Sequence, residues 1–257
     1  MRLPFSAEQF MGVFERYNLA VWPVQLLFYA AAAGVLVLVA RPGKHGGRWI
    51  SAVLALFWAW MGVVYHWAFF ARINPAAFLF AALFLIQSAL FIREGVLRPG
   101  LSFRTADAPD GSDASGTAGA LLVGYALLGY PLVGHAAGHL FPAAPTLGLP
   151  CPTTIFTFGV LLLADGNVPL RLLVVPVLWS LVGTVGAFAL GVPEEYGLPV
   201  AAVVATTLLV RRRGRETIPG QHSTGGGDTV GADRPWSPPP RNRALADAHG
   251  SGARSIR

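Results

Sequence analysis

Seven long apolar runs dominate the chain, at about residues 18–40, 49–71, 75–92, 118–140, 152–166, 168–190 and 196–210. An α-helix rises about 1.5 Å per residue and a bilayer's hydrocarbon layer is about 30 Å thick, so runs of this kind read as membrane-spanning helices. The fifth and seventh are short for that distance. Ahead of the first run, Ser6 and Gln9 stand at the spacing of a capping box, with Phe5 and Phe10 placed as a hydrophobic staple, so a short helix is predicted from Ala7. Its aromatic face, Phe10, Phe14 and Tyr17, is expected to lie in the membrane interface while Arg16 and two glutamates face water. The run from Asn18 is expected to be retained, because residues including Glu8 and Glu15 precede it and it exceeds a signal peptide's h-region of about 7 to 15 residues.

The expected fold class is therefore all-α, a polytopic transmembrane helix bundle of about seven spans over residues 1–210. Beyond it, residues 211–257 are rich in Gly, Ser, Pro and Arg and lack the apolar surface to fold, so a disordered cytoplasmic tail is expected. The loop 104–117, with Asp107, Asp110 and Asp113, is expected to be mobile. No internal repeat stands out.

Composition agrees with burial in lipid, since charged residues make up only 12% of the chain against about 25% in soluble domains. The net charge of +6 does not imply nucleic acid, because the basic residues lie between and after the apolar runs instead of forming one stripe. Their distribution predicts sidedness. With seven spans and the N-terminus outside, eleven Arg and Lys fall inside, at Arg41, Lys44 and Arg48, at Arg93, Arg98 and Arg104, at Arg171, and at Arg211, Arg212, Arg213 and Arg215. Only Arg2, Arg16 and Arg72 fall outside, the bias that insertion imposes. A re-entrant fifth run would carry the Arg211–Arg215 cluster outside, so the pattern favours crossing. Trp22, Trp49, Trp67 and Tyr196 fall near span ends as interfacial anchors. Gln25 and Gln87 lie within spans and should turn toward other helices. Pro23, Pro131 and Pro176 should disturb spans one, four and six.

Candidate chemistry collects at the outer ends. His135 and His139 stand four apart near the end of span four, a spacing that lets two imidazoles share a metal, and His66 lies about 9 Å below the outer end of span two by helical rise. Zn or Cu is the metal such ligands would take, although nothing in the sequence requires a cofactor. The same surface receives Asn74, Cys151, Thr153, Thr154, Glu194 and Glu195. A single cysteine excludes an intrachain disulfide, and Pro150 and Pro152 should hold Cys151 extended. Thr153 or Thr154 suits a helix start, which facing a cavity could take an anion. Gly134-x-x-x-Gly138 offers a flat face to a neighbouring helix, within the bundle or across a homo-oligomer or membrane partner. Three readings follow: a small permease or ligand-binding membrane protein with an outward-facing pocket, a metal-dependent membrane enzyme using His66, His135 and His139, or a non-catalytic partner protein.

The strings NLAVWP at 18–23, INPAA at 73–77, PTLGLPCPTTIFTFG at 145–159 and GVPEEYGL at 191–198 resemble a family of bacterial multi-pass membrane proteins known as a domain of unknown function. The resemblance covers about residues 1–210. It implies an integral inner-membrane protein and supplies no reaction, cofactor or catalytic residue. All four strings fall at or near outer span ends, and loops tied to function tend to share a face.

Overall fold

The computed structural model describes residues 4–41, 43–98, 100–103 and 114–216. Among them it is all-α: α1 (Ala7–Val21), α2 (Val24–Ala40), α3 (Gly46–Trp60), α4 (Ala77–Phe91), α5 (Ala114–Gly124), α6 (Tyr130–Ala136), α7 (Pro150–Leu162), α8 (Arg171–Leu190) and α9 (Gly197–Glu216). Three continuous rods are longer than these names suggest. α3 runs on through a π-helical stretch, Met61–Phe69, and a 3-10 turn to Arg72; α4 runs on to Leu97; and a π stretch, Tyr125–Gly129, joins α5 to α6. Pro131 follows the last of these, and its missing N–H is a physical cause of the widened ladder. Four rods, Gly46–Arg72, Ala77–Leu97, Ala114–Ala136 and Arg171–Leu190, are long and apolar enough to cross a membrane. A fifth counts if α1 and α2 form one span, but they are bent by 86° at Trp22–Pro23.

That bend revises the first apolar run. Asn18 to Val21 belong to α1, which the predicted capping box starts: Ser6 Oγ accepts from the Gln9 N–H at 3.2 Å and Gln9 Oε1 accepts from the Ser6 N–H at 2.9 Å. Nor does α1's aromatic face lie against headgroups. Phe14 and Tyr17 are buried, with Tyr17 edge-on to Tyr65 and Phe69 at 5.7 and 5.5 Å between ring centroids. The basic tail is shortened as well, because α9 continues through Arg211–Arg213 to Glu216; the rest of the tail, and residues 104–113 of the acidic loop, lie outside the described residues.

α7 is the post around which the bundle is built, and every one of its 13 residues is buried. It touches α5 backbone to backbone: a Cβ on Gly159 would lie 2.9 Å from both the Gly119 carbonyl oxygen and the Val123 nitrogen. Small residues that let helices approach this closely are how packing is gained where no water is displaced. Gln25 and Gln87 turn inward, while Trp22, Trp49 and Trp67 remain more than half exposed at rod ends.

The connections sort onto two ends. At one, Arg171 Nη2 meets the buried Glu94 Oε2 at 3.0 Å, Arg212 Nη1 donates to the Ala164 carbonyl at 2.7 Å, and the Asp165 N–H donates to the Ser102 carbonyl at 2.8 Å. Arg41, Lys44 and Arg48 flank the start of α3, whose Gly47 abuts Leu101 of the same end. The other end is nearly free of cations and carries the four conspicuous strings.

Candidate functional site

The string 145–159 and the residues just before it are held at this second end by side chains of α1, which α2 and α3 brace. Asn18 Nδ2 donates to the Pro142 and Ala144 carbonyls, both at 2.7 Å, and Gln25 Nε2 donates to the Asn18 carbonyl at 3.0 Å. Tyr17 OH donates to the Gly148 carbonyl at 3.2 Å and accepts from Trp60 Nε1 at 2.8 Å. Gly148, at φ +98, turns the chain, and its N–H donates to Thr153 Oγ1 at 3.0 Å. The helix then starts earlier than the sequence predicts. Pro150 and Pro152 occupy its first turn, where a missing N–H costs nothing, so Cys151 is helical instead of extended. Two of the first three positions lack an N–H, which removes the donors an anion site at this helix start would need.

Between this loop, α1, the Phe70–Asn74 turn and α8 lies a cavity of about 280 Å³. Phe5, Phe10, Phe14, Tyr65, Phe70 and Phe80 wall it; Tyr130, Cys151, Trp179 and Glu195 supply its polar atoms; Asn74 and Pro145 are on its lining, as are Gly183 and Gly186 of α8. Tyr130 OH is buried with no hydrogen-bond partner among the described residues, and Trp179 Nε1 has only the weak sulfur acceptor of Cys151 beside it.

Glu195 and Glu194 sit in a 3-10 turn, Pro193–Tyr196, and are 2% and 0% exposed. Glu194 points away from the cavity, its Oε1 2.6 Å from His139 Nδ1, while Tyr125 OH donates to its backbone carbonyl at 2.7 Å. Gly134 makes this approach possible: a Cβ there would lie 3.1 Å from Glu194 Oε1. Gly138, at φ +87, lies beyond the end of α6, so His139 is in the following turn and not on the helix with His135. Glu195 has no ion-pair partner among the described residues. Burial pushes its carboxyl up to about 8; the hydrogen-bonded Cys151 thiol opposes that rise, and the neighbouring Glu194 adds to it.

Of the residues singled out in the sequence, Asn74, Cys151 and Glu195 share the cavity, and Glu194 with His139 lies behind it. Thr153 and Thr154 are buried within the bundle, and His135 is exposed. His66 is fully buried one layer behind the wall, its ring 4.5 Å from Phe84 and 5.0 Å from Trp179 between centroids, with no partner on either nitrogen among the described residues. Among the described residues no three His, Cys, Asp or Glu stand close enough to hold a metal ion, so the three histidines predicted at one depth are not brought together. Sequence reasoning missed the aromatic wall and the donors Tyr130 and Trp179. The spacing of Phe10 and Phe14 signalled a face, but its partner, the turn after α3, is distant in sequence.

The sequence profile of DUF6064, a family of unknown function, matches residues 7–219. The chain belongs to that family. No curated protein and no solved structure matches it. The DUF6064 match takes in every residue of the cavity except Phe5, along with all four strings quoted above.

Proposed function

We propose that this DUF6064 chain is a ligand-binding protein of the bacterial inner membrane, of small-permease type, whose pocket is the aromatic cavity. In this reading the seven apolar runs each cross the bundle, with the short α7 shielded from lipid by its neighbours. The arginine-rich end is cytoplasmic and the pocket opens outward, as the distribution of basic residues favours.

One observation carries the proposal: a preformed apolar cavity with a few convergent polar atoms, among them the Tyr130 hydroxyl, buried with no hydrogen-bond partner among the described residues. Ligand sites are concave, mostly apolar and about 300–1,000 Å³, so a cavity of about 280 Å³ suits a small molecule. Buried donors without partners cost free energy that a ligand acceptor or a bound water repays.

Gly186→Phe tests this. Gly186 lines the cavity and a Cβ there meets no atom within 4 Å, so the ring fills space without a clash at its root. Wild-type protein in nanodiscs is expected to show saturable quenching of tryptophan fluorescence by small aromatic solutes that the variant lacks at unchanged melting temperature. Equal quenching of both proteins would refute the pocket.

A further inference from the structure

The lining of the cavity also specifies charge, and this inference rests on the ligand-pocket reading above. Eight aromatic side chains line one space, and ring faces carry negative potential that attracts cations, most strongly where water is excluded. The one carboxyl among its lining residues, Glu195, is 2% exposed and has no Arg, Lys or His partner among the described residues. A second carboxyl, Glu194, lies next to it in the chain, fully buried, with one oxygen unpartnered. An anionic ligand would meet one carboxyl and no cation among the lining residues. A wholly apolar ligand would leave the Glu195 carboxyl with nothing new.

We propose that the cavity binds a compact organic cation, an ammonium bearing an apolar or aromatic group, and that Glu195 gives up its carboxyl proton as the cation enters. The exchange balances: the Glu195 O–H bond breaks, the proton passes to solvent, and the carboxylate left behind neutralises the ammonium, so the pocket's net charge is unchanged. The groups that face this carboxyl suit both states. Cys151 of α7 is hydrogen-bonded to it, and Tyr65 of the π stretch and Tyr130 of α6 lie within electrostatic reach. Trp179 of α8 lines the same floor. All are neutral donors able to stabilise a carboxylate without supplying a competing cation. Glu194 is the other carboxyl at hand, and its partner His139 is 21% exposed and so in reach of water.

Because the folded carboxyl holds its proton up to about pH 8, the cation competes with that proton below this value and not above it. Linkage then fixes the slope, an affinity gain of about tenfold per pH unit between about pH 5 and 7, levelling above about pH 8.

The full chain in nanodiscs of uncharged lipid is titrated with phenyltrimethylammonium and with its neutral isostere tert-butylbenzene, following tryptophan quenching and proton release in weak buffer. Expected are the tenfold slope and about one proton released per cation at about pH 6 in wild type, with no slope for tert-butylbenzene. Glu195→Gln is expected to bind the cation at least tenfold more weakly at about pH 8 and to lose the slope. Should that variant fail to fold, the wild-type slope and proton count still decide. Cation binding that is independent of pH, or tert-butylbenzene binding alone, overturns the cation assignment and leaves the pocket standing. Binding of neither probe, with quenching unaffected by Gly186→Phe, overturns both.

Discussion

Pro176 lies inside α8 and has no N–H, so the carbonyl of Leu172, four residues earlier, loses its ladder partner in a region where lipid and protein exclude water. Gln87 of α4 fills the gap, donating Nε2 to that carbonyl at 2.9 Å. Replacing Gln87 with leucine removes the donor and orphans the carbonyl, a loss of about 1–3 kcal/mol for a buried group left unsatisfied. It also removes Gln87 Oε1, itself buried with no partner among the described residues, so the single variant's net effect is smaller, within about 1 kcal/mol of wild type. The double-mutant cycle separates the two contributions. In a Pro176→Ala background residue 176 donates to Leu172 again, and Gln87→Leu should then cost about 1 kcal/mol less than it does beside proline, in the range measured for interhelical bonds in membranes. The assay is reversible unfolding of the four proteins in mixed micelles. Additivity within about 0.5 kcal/mol would refute the claim that the glutamine serves the proline's vacant carbonyl.

Two further outcomes follow from the packing. Gly159→Ala should destabilise by about 1–3 kcal/mol, because its new methyl meets backbone atoms that cannot swing aside, whereas Gly34→Ala, with nothing within 4 Å, should melt like wild type; equal melting of the two variants would contradict the close contact. Asn18→Ala strips donors from the Pro142 and Ala144 carbonyls and should cost about 2–4 kcal/mol, read as a lowered melting temperature, with proteolysis of the 141–149 loop as the sign that its anchor is lost.

Hydropathy located the rods because apolar length is a local property, and the basic residues sorted them onto two ends because the cost of moving charge through lipid is local as well. Contacts between distant segments were not legible. Arg171 meets Glu94 through packing of α8 on α4, and Asn18 meets the loop before α7 only because the chain turns by 86° at Pro23. Helical spacing placed His135 and His139 on one face, but Gly138 ends the helix between them. His66 had the depth expected of a ligand and yet is enclosed by rings, since the π stretch that carries it turns Tyr65 and His66 inward together. Cys151, Asn74 and Glu195, singled out by residue type, line one cavity, whereas the aromatic wall needed the bend of α1 to come into being.

Cys151 is the sole cysteine and lines the cavity, so its accessibility reports where the pocket opens. Spheroplasts expressing the chain are treated from outside with a membrane-impermeant trimethylammonium-ethyl methanethiosulfonate, and modification of the one thiol is followed by mass. An outward-opening pocket predicts time-dependent labelling that Gly186→Phe slows. Labelling seen only when the reagent is given access to the cytoplasmic face would contradict it.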